Sequence, residues 1–386
     1  MTRPFSVFIY AAALSALAAC GETGPLPPLS PAAAVPPCAT QAAPAPQPFA
    51  DEATARAVAD GWLARHTPES MHWDWGPAVL SWALLDLWEA TGDERYFDFV
   101  AAWVRHHAAS FPALWSDTVA PAAAATRVAA RTCEPALLGV IARTDDYLRD
   151  VPRTAAGGIG HLGHLQPEMP QLWVDSLFMV GSYWMARHAL FGDPADIDSY
   201  AAQIRIFGEE LQNPRTGLFH HALVQERPWP WNDVFWGRGN GWVAAIVGRF
   251  LADLPADHPD HAAIVDLERR LLAGVLATQD DSGLWWTVMN APGEGYTETS
   301  ASALFAYALR RGADEGWVDP AAARAAADRA RAAVLGRLTT DVDGHVVVTG
   351  TSGPTQPGGR GYYAGLPQGD DIHYGVGSVI LMLTGR

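Results

Sequence analysis

The sequence contains no lysine: all 26 of its fixed basic side chains are arginines. That absence excludes Schiff-base catalysis by lysine and a Walker-type phosphate loop, whose lysine reaches the nucleotide phosphates. Positive charge is scarce as well. Against 42 acidic residues the formal net charge is -16, and no basic stripe is visible, which argues against a nucleic-acid partner. Cysteine is limited to Cys20, Cys38 and Cys133. No His-Glu-x-x-His, paired-cysteine or clustered-carboxylate spacing is present, so neither a metal nor another cofactor is expected. The serine-containing runs lack the Gly-x-Ser-x-Gly elbow of serine hydrolases. Strand-like alternation is almost missing before HVVVTG at 345–350.

What is present begins with MTRPFSVFIYAAALSALAAC. The apolar stretch from Phe5 to Ala19 is too short for a stable membrane-spanning helix and has the shape of a secretory signal. Its ending, Leu17-Ala18-Ala19-Cys20, resembles a bacterial lipobox, in which Cys20 is lipidated and becomes the mature N-terminus. The expected location is therefore outside the cytoplasm, on a membrane through an N-terminal lipid anchor. Gly21 rather than Asp after the cysteine favours the outer membrane, with the protein facing the periplasm or the exterior. Cys38 and Cys133 then reach an oxidising compartment, where a disulfide is possible. Residues 21–49, rich in Pro and Ala and nearly uncharged, read as a tether.

From Asp51 onward, apolar residues recur at three- and four-residue spacings, as in WGPAVLSWALLDLWEATGD and ERYFDFVAAWVRHHA. Helices stop at repeated signals: Ala-Thr-Gly-Asp at 90–93 and Leu-Phe-Gly-Asp at 190–193 each place a glycine at a helix end and start another amphipathic segment. No strict short period supports a solenoid. Recurring hairpins of this kind fit a closed all-α barrel, an inner ring of helices wrapped by an outer ring, with its site at the ends of the inner helices. Residues 50–386 show no internal boundary and read as one domain.

Three stretches are too rich in aromatic and polar residues for plain core: QLWVDSLFM, GLFHHALVQERPWPWNDVFWGRGNGW and GLWWTVMNAPGEGYTETSASALFAYAL. The first sets Asp175 among large apolar side chains, where an unpartnered charge costs several kcal/mol. Asp175 is well placed as an N-cap, with Val174 and Met179 forming a hydrophobic staple. In the second stretch Trp229, Trp231, Trp236 and Trp242 surround Arg238 and Asn240. Flat aromatic faces beside hydrogen-bonding groups suit a sugar ring, although an aromatic core with Arg238 satisfied by carbonyls fits the same residues. His161, His164, His220 and His221 are the histidines beside these segments. Asp281, Asp370 and Asp371 sit in turn-like text.

Taken in order, WVDSLFM, GDPADIDSY, LQNPRTGLFHHA, FWGRGNGWVAA, SGLWWTV and YTETSASALFAYALRRG resemble the unsaturated rhamnogalacturonyl hydrolases of glycoside hydrolase family 105. The closing GRGYYAGLPQGDDIHYGVGSVILM resembles the end of that domain. The resemblance implies a six-hairpin (α/α)6 barrel acting on oligosaccharides that carry an unsaturated uronic acid at the non-reducing end. Hydration of the C4=C5 double bond gives a hemiketal that opens and releases the neighbouring sugar. The resemblance makes Asp175 the catalytic acid and base, and it aligns Asp117 with a second acidic position, although PAAAATR follows where a Gly-Arg pair is expected. It assigns His221 to holding the water or the ring, and Trp236, Arg238 and Trp242 to the sugar, with Arg238 as partner of the carboxylate. For a glycine-flanked family histidine, both His161 and His164 are available, and spacing to Asp175 favours His164.

Other readings use the same residues differently. A glycan-binding lipoprotein would keep the pocket without turnover, but it needs no proton donor. A sugar epimerase would need a histidine pair, and the adjacent His220 and His221 point different ways along a chain segment. A glucuronyl hydrolase acting on glycosaminoglycan or ulvan fragments would share the reaction and differ in the sugar released.

Overall fold

A computed structural model describes residues 37–43, 45–224, 227–229 and 234–386, with only the backbone of 227–229. The proposed signal, Cys20 and most of the tether lie outside the described residues, as does Trp231. Of Trp229 only the backbone is described.

Thirteen α-helices are found among the described residues, and twelve of them form two rings. In chain order they are α1 (Glu52–Leu63), α2 (Trp75–Thr91), α3 (Glu94–His107), α4 (Ser116–Thr132), α5 (Pro135–Asp150), α6 (Asp175–Phe191) and α7 (Pro194–Leu211). Then follow α8 (Gly237–Phe250), α9 (His261–Ala277), α10 (Thr299–Asp314), α11 (Pro320–Leu335), the short α12 (Arg360–Ala364) and α13 (His373–Thr384). Helix α2 packs on α4, α4 on α6, α6 on α8, α8 on α10, α10 on α13, and α13 back on α2, which closes the inner ring. Helices α1, α3, α5, α7, α9 and α11 pack around it. The expected all-α, six-hairpin barrel is what the chain forms.

The two rings have different sequence logic. Inner α2 is enclosed on every side and buries residues all round, including Val79, Leu80, Ala83, Leu84 and Leu87. Outer α3 buries one stripe, with Tyr96, Phe97, Val100, Trp103 and Val104 facing inward, because its other face meets water. The turns that join inner to outer helices are those expected: Gly92 and Gly192 adopt left-handed φ of 68° and 69°, which glycine reaches without a Cβ clash. Asp93 and Asp193 then cap α3 and α7 by accepting from the amides of Arg95 and Ala195. At Gly181 of α6, an added Cβ would lie 2.1 Å from the Tyr200 ring, so the glycine is what lets α7 approach.

Part of the expected tether is fastened to the barrel. Cys38 and Cys133 form a disulfide that joins the N-terminal arm to the C-terminal end of α4. The amides of Gln41 and Gln47 donate to the carbonyls of Ala130 and Ala90, and the Gln41 side chain donates to Ala189. Residues 37–43 and 45–49 thus run across the base of the barrel, where α2, α4 and α6 end. Proline and alanine there favour an extended chain, and the helix-end carbonyls supply its partners.

The opposite end carries the short strands. One sheet has the order β1 (Leu172–Trp173), β2 (Ala222–Val224), β3 (Arg227–Trp229), all antiparallel, with Trp173 opposite Ala222. Strands β4 (Trp285–Trp286) and β5 (Thr297–Glu298) pair beside it. Farther along the chain, β6 (Leu338–Thr340) pairs with β7 (Val346–Val348), and β8 (Thr351–Ser352) pairs with β9 (Gln368–Gly369).

Candidate active site

The N-terminal ends of the inner helices meet at this end, and the titratable residues converge there. Asp74 caps α2, Asp117 lies in the first turn of α4, and Asp175 opens α6. Asp175 is the first helical residue rather than the cap: Val174 holds the cap position. A backbone amide at the helix start helps to lower the Asp175 pKa, and its side-chain partner lies in another element.

That partner is His221, whose Nε2 lies 3.0 Å from Asp175 Oδ2. Pairing of β2 with β1 sets the histidine beside the helix start, and Val174 N donates to the His221 carbonyl. The other ring nitrogen, Nδ1, is 2.8 Å from the Tyr363 hydroxyl. Trp236 stacks on the His221 ring at 4.4 Å, and Trp173 meets it edge-on at 5.9 Å. On the opposite side, His161 Nε2 faces Asp117 Oδ1 at 3.5 Å, and its Nδ1 lies 2.9 Å from Ser176 Oγ. Trp173 stacks on His161 at 4.3 Å.

Electrostatics separate the carboxyl groups. Burial acts to raise the Asp175 pKa, but the interaction with His221, its hydrogen bond and His161 prevail and hold it below the usual carboxylate value. Burial pushes Asp117 well above that value, and the negative charges of Asp74 and Asp175 add to the shift. Asp74 is raised by burial to about 6 against the bond it accepts from the Trp75 amide. His161 is lowered by burial to about 4, so its ring is neutral at neutral pH. These surroundings thus favour the carboxylate at Asp175 and the carboxylic acid at Asp117, the separation that acid–base chemistry at one centre requires.

Two of the expected site residues lie apart from this cluster. His164 is exposed and stands 5.2 Å from Tyr147, on the outside of the loop, while His161 points inward; two of the glycine-flanked positions fit by spacing, and the turn at Gly163, with φ of 47°, decides between them. Arg238 is not placed to meet a sugar carboxylate. It is 1 % exposed, and its guanidinium donates to the Ser352 carbonyl and hydroxyl, the Gly353 carbonyl and the Thr355 hydroxyl. Its two faces lie 4.8 Å from the Trp236 ring and 4.7 Å from the Tyr374 ring. Glu298 holds the same loop by accepting from Ser352 N. The alternative in which carbonyls satisfy Arg238 is the one that folds.

Trp242, fully buried against Phe178, lies below the pocket and offers no free face to a sugar. Trp236 is buried too and acts as a wall for His221. Aromatic surface reaches solvent instead at Trp75, which stacks on Tyr374 at 4.5 Å, and at Trp115. Sequence reasoning missed Asp74 and Tyr363. An aspartate directly before WGPAVL is a cap signal that points to a helix start, hence to the barrel mouth; Tyr363, in GRGYYAG, carries no comparable signal.

Two cavities of about 250 and 330 Å3 lie at the other end of the barrel. In the first, Arg127 and Arg249 of the wall pair with the buried Asp86 behind it; in the second, Asp51 pairs with Arg331. The cluster at the mouth, by contrast, brings carboxyl groups within reach of histidines.

The pattern of Glycosyl Hydrolase Family 88 matches residues 50–386. Over 265 residues, 67% of this chain and 76% of the relative, the sequence is 28% identical to the unsaturated rhamnogalacturonyl hydrolase YesR of Bacillus subtilis. A possible member of glycoside hydrolase family 105 from Salmonella enterica superposes with a TM-score of 0.77 at 23% identity, covering 88% of this chain and 95% of that one. The unsaturated glucuronyl hydrolase of Bacillus sp. GL1 superposes with a TM-score of 0.65 at 18% identity, covering 85% and 94%. At these identities the two structures establish the shared fold.

Proposed function

The chain belongs to Glycosyl Hydrolase Family 88, and on that premise we propose that it removes an unsaturated uronic acid from the non-reducing end of lyase-generated oligosaccharides. The observation that carries the proposal is the convergence of Asp175, 3.0 Å from His221 Nε2, and Asp117, 3.5 Å from His161 Nε2, at one end of the barrel, in surroundings that favour the carboxylate at the first and the carboxylic acid at the second. Hydrating a C=C bond needs one proton delivered to carbon and one removed from water. Asp117 supplies the proton to C4, and Asp175 takes a proton from the water whose oxygen adds at C5. The product is a hemiketal at C5, which opens and releases the neighbouring sugar. No covalent sugar–enzyme bond is formed, unlike the nucleophilic carboxylate of retaining glycosidases. This divides between two residues the work that the resemblance gave to Asp175 alone.

An anionic substrate meets a mouth ringed by helix N-termini, whose partial positive charge favours an anion without any lysine. Likeness to the Bacillus subtilis enzyme supports rhamnogalacturonan fragments as the source. Incubation with a panel of lyase-generated oligosaccharides, following loss of the ultraviolet absorbance of the conjugated double bond, tests both statements. Turnover of rhamnogalacturonan fragments is expected. Turnover confined to glycosaminoglycan or ulvan fragments would replace that source, and no absorbance loss with any member would overturn the reaction.

The LAAC ending of the leader supports lipidation at Cys20 and retention at a membrane. The disulfide at Cys38 brings the arm out at the base, opposite the carboxylates. This arrangement turns the mouth away from the membrane, toward diffusing oligosaccharide.

A further inference from the structure

Tyr363 makes two contacts that together fix a proton. Gly358 N–H donates to its hydroxyl oxygen at 3.0 Å, and that oxygen lies 2.8 Å from His221 Nδ1. An amide N–H only donates, so the phenol oxygen is already an acceptor and its own hydrogen needs a partner. The side chain is fully buried, and His221 Nδ1 is that partner. With Nδ1 accepting, the ring proton resides on Nε2, which faces Asp175 Oδ2 at 3.0 Å. The reverse arrangement places the ring proton on Nδ1 and a carboxylic acid at Asp175. It leaves the phenol hydrogen buried without an acceptor among the described residues, a penalty that biases the equilibrium by roughly tenfold or more.

We infer that Tyr363 is a positioning residue that locks His221 as the Nε2–H tautomer and thereby keeps Asp175 a carboxylate ready to accept a proton. The inference deepens the proposed reaction and rests on it for its kinetic consequence. The groups facing Asp175 are His221 from the loop before β2, His161 from the loop after α5, and Asp117 from the start of α4; Asp74 of α2 reaches it through Asp117. Within this set, Tyr363 acts on Asp175 through His221, which separates its effect from those of the carboxylates.

The test uses the mature chain and Tyr363→Phe, with two readouts. Nitrogen-15 NMR of the imidazoles, with the His221 signals assigned by their loss in His221→Asn, reports the tautomer without any substrate. Wild type should show an unprotonated Nδ1 and a protonated Nε2 at pH 7, and the variant a mixture. In turnover of an unsaturated oligosaccharide, the acidic limb of kcat/KM should move up by about one pH unit in the variant, with rates at pH 8 within about twofold of wild type. A wild-type His221 protonated at Nδ1 overturns the lock, even if the variant does not fold. So does a loss of rate uniform in pH with the tautomer unchanged, which would make Tyr363 a packing residue. If no oligosaccharide is turned over while the tautomers are as stated, the lock stands and the reaction reading fails.

Discussion

Asp117 Oδ1 faces His161 Nε2 at 3.5 Å, and a carboxylate oxygen and a bare imidazole nitrogen at that distance repel each other. His161 Nδ1 lies 2.9 Å from Ser176 Oγ, which in turn donates to Ser116 Oγ, so the histidine proton sits on Nδ1 and the bare Nε2 is turned toward Asp117. A proton on the Asp117 carboxyl satisfies both. His161 and His221 thus present opposite faces to the two carboxyl groups, one accepting and one donating.

A bell-shaped dependence of kcat/KM on pH is expected from this arrangement. Activity falls at low pH as Asp175, held below the ordinary carboxylate value, takes up a proton. It falls at high pH as Asp117, raised by burial and by Asp74 and Asp175, loses one. In Asp117→Asn the alkaline limb should vanish along with about a hundredfold or more of the rate. A variant with a near-normal rate would return proton delivery to Asp175.

Asp175→Asn should fold and fail to turn over. Asn keeps an oxygen for the helix-start amide and for His221 Nε2–H, so the melting temperature should shift by only a few degrees. Without a base for water, turnover should drop by about a hundredfold or more. Thermal unfolding and the absorbance assay on the same preparation separate the two effects.

Arg238→Ala is expected to cost stability before it costs affinity. It removes the donors that hold the 352–355 loop and opens space between Trp236 and Tyr374, a loss of about 2–4 kcal/mol. Arg238→Lys should recover little, because one ammonium cannot replace a planar fork. An unchanged melting temperature with a raised KM would show direct contact with the substrate.

For Asp74 the sign is opposite to that of a salt-bridged acid. Its folded pKa of about 6 lies above the unfolded value near 3.8, so the native state binds the proton more tightly. This contribution favours folding below about pH 4 and is lost as pH rises through 6. Asp74→Asn retains a capping side chain and should raise stability at pH 7 by about 1–2 kcal/mol, with the gain fading toward pH 4. Denaturant titrations at the two pH values measure the difference.

Removing the Cys38–Cys133 link closes no gap in the barrel but frees the arm. The bridge spans 95 residues of sequence, and its loss should cost about 2–5 kcal/mol. Cys38→Ser should therefore melt lower than wild type under oxidising conditions and match it under reducing ones. Separately, Cys20→Ala should release the protein from the membrane fraction of expressing cells; a soluble wild type with a different mature N-terminus would overturn the lipid anchor.

The barrel was legible in the sequence because its evidence is local. The three- and four-residue apolar spacing makes helices, and the Gly-Asp pairs at 92–93 and 192–193 fix where inner helices hand over to outer ones. Asp175, Asp117 and His221 were reachable through motif order. What the sequence could not rank were residues whose meaning depends on direction. His161 and His164 are three positions apart with the same glycine neighbours, and only the turn at Gly163 sends one inward. Arg238 in WGRGNGW has the composition of a ligand site, but ring closure brings Ser352, Gly353 and Thr355 from more than a hundred residues away to consume its donors. Tyr363 acquires its role from a contact 142 residues distant, and Cys38 reaches its partner across the base of the barrel. Local pattern follows from backbone geometry within a few residues. Donor, acceptor and charge state depend on what long-range closure of the ring places within 3 Å, and that is set only when the six hairpins have packed.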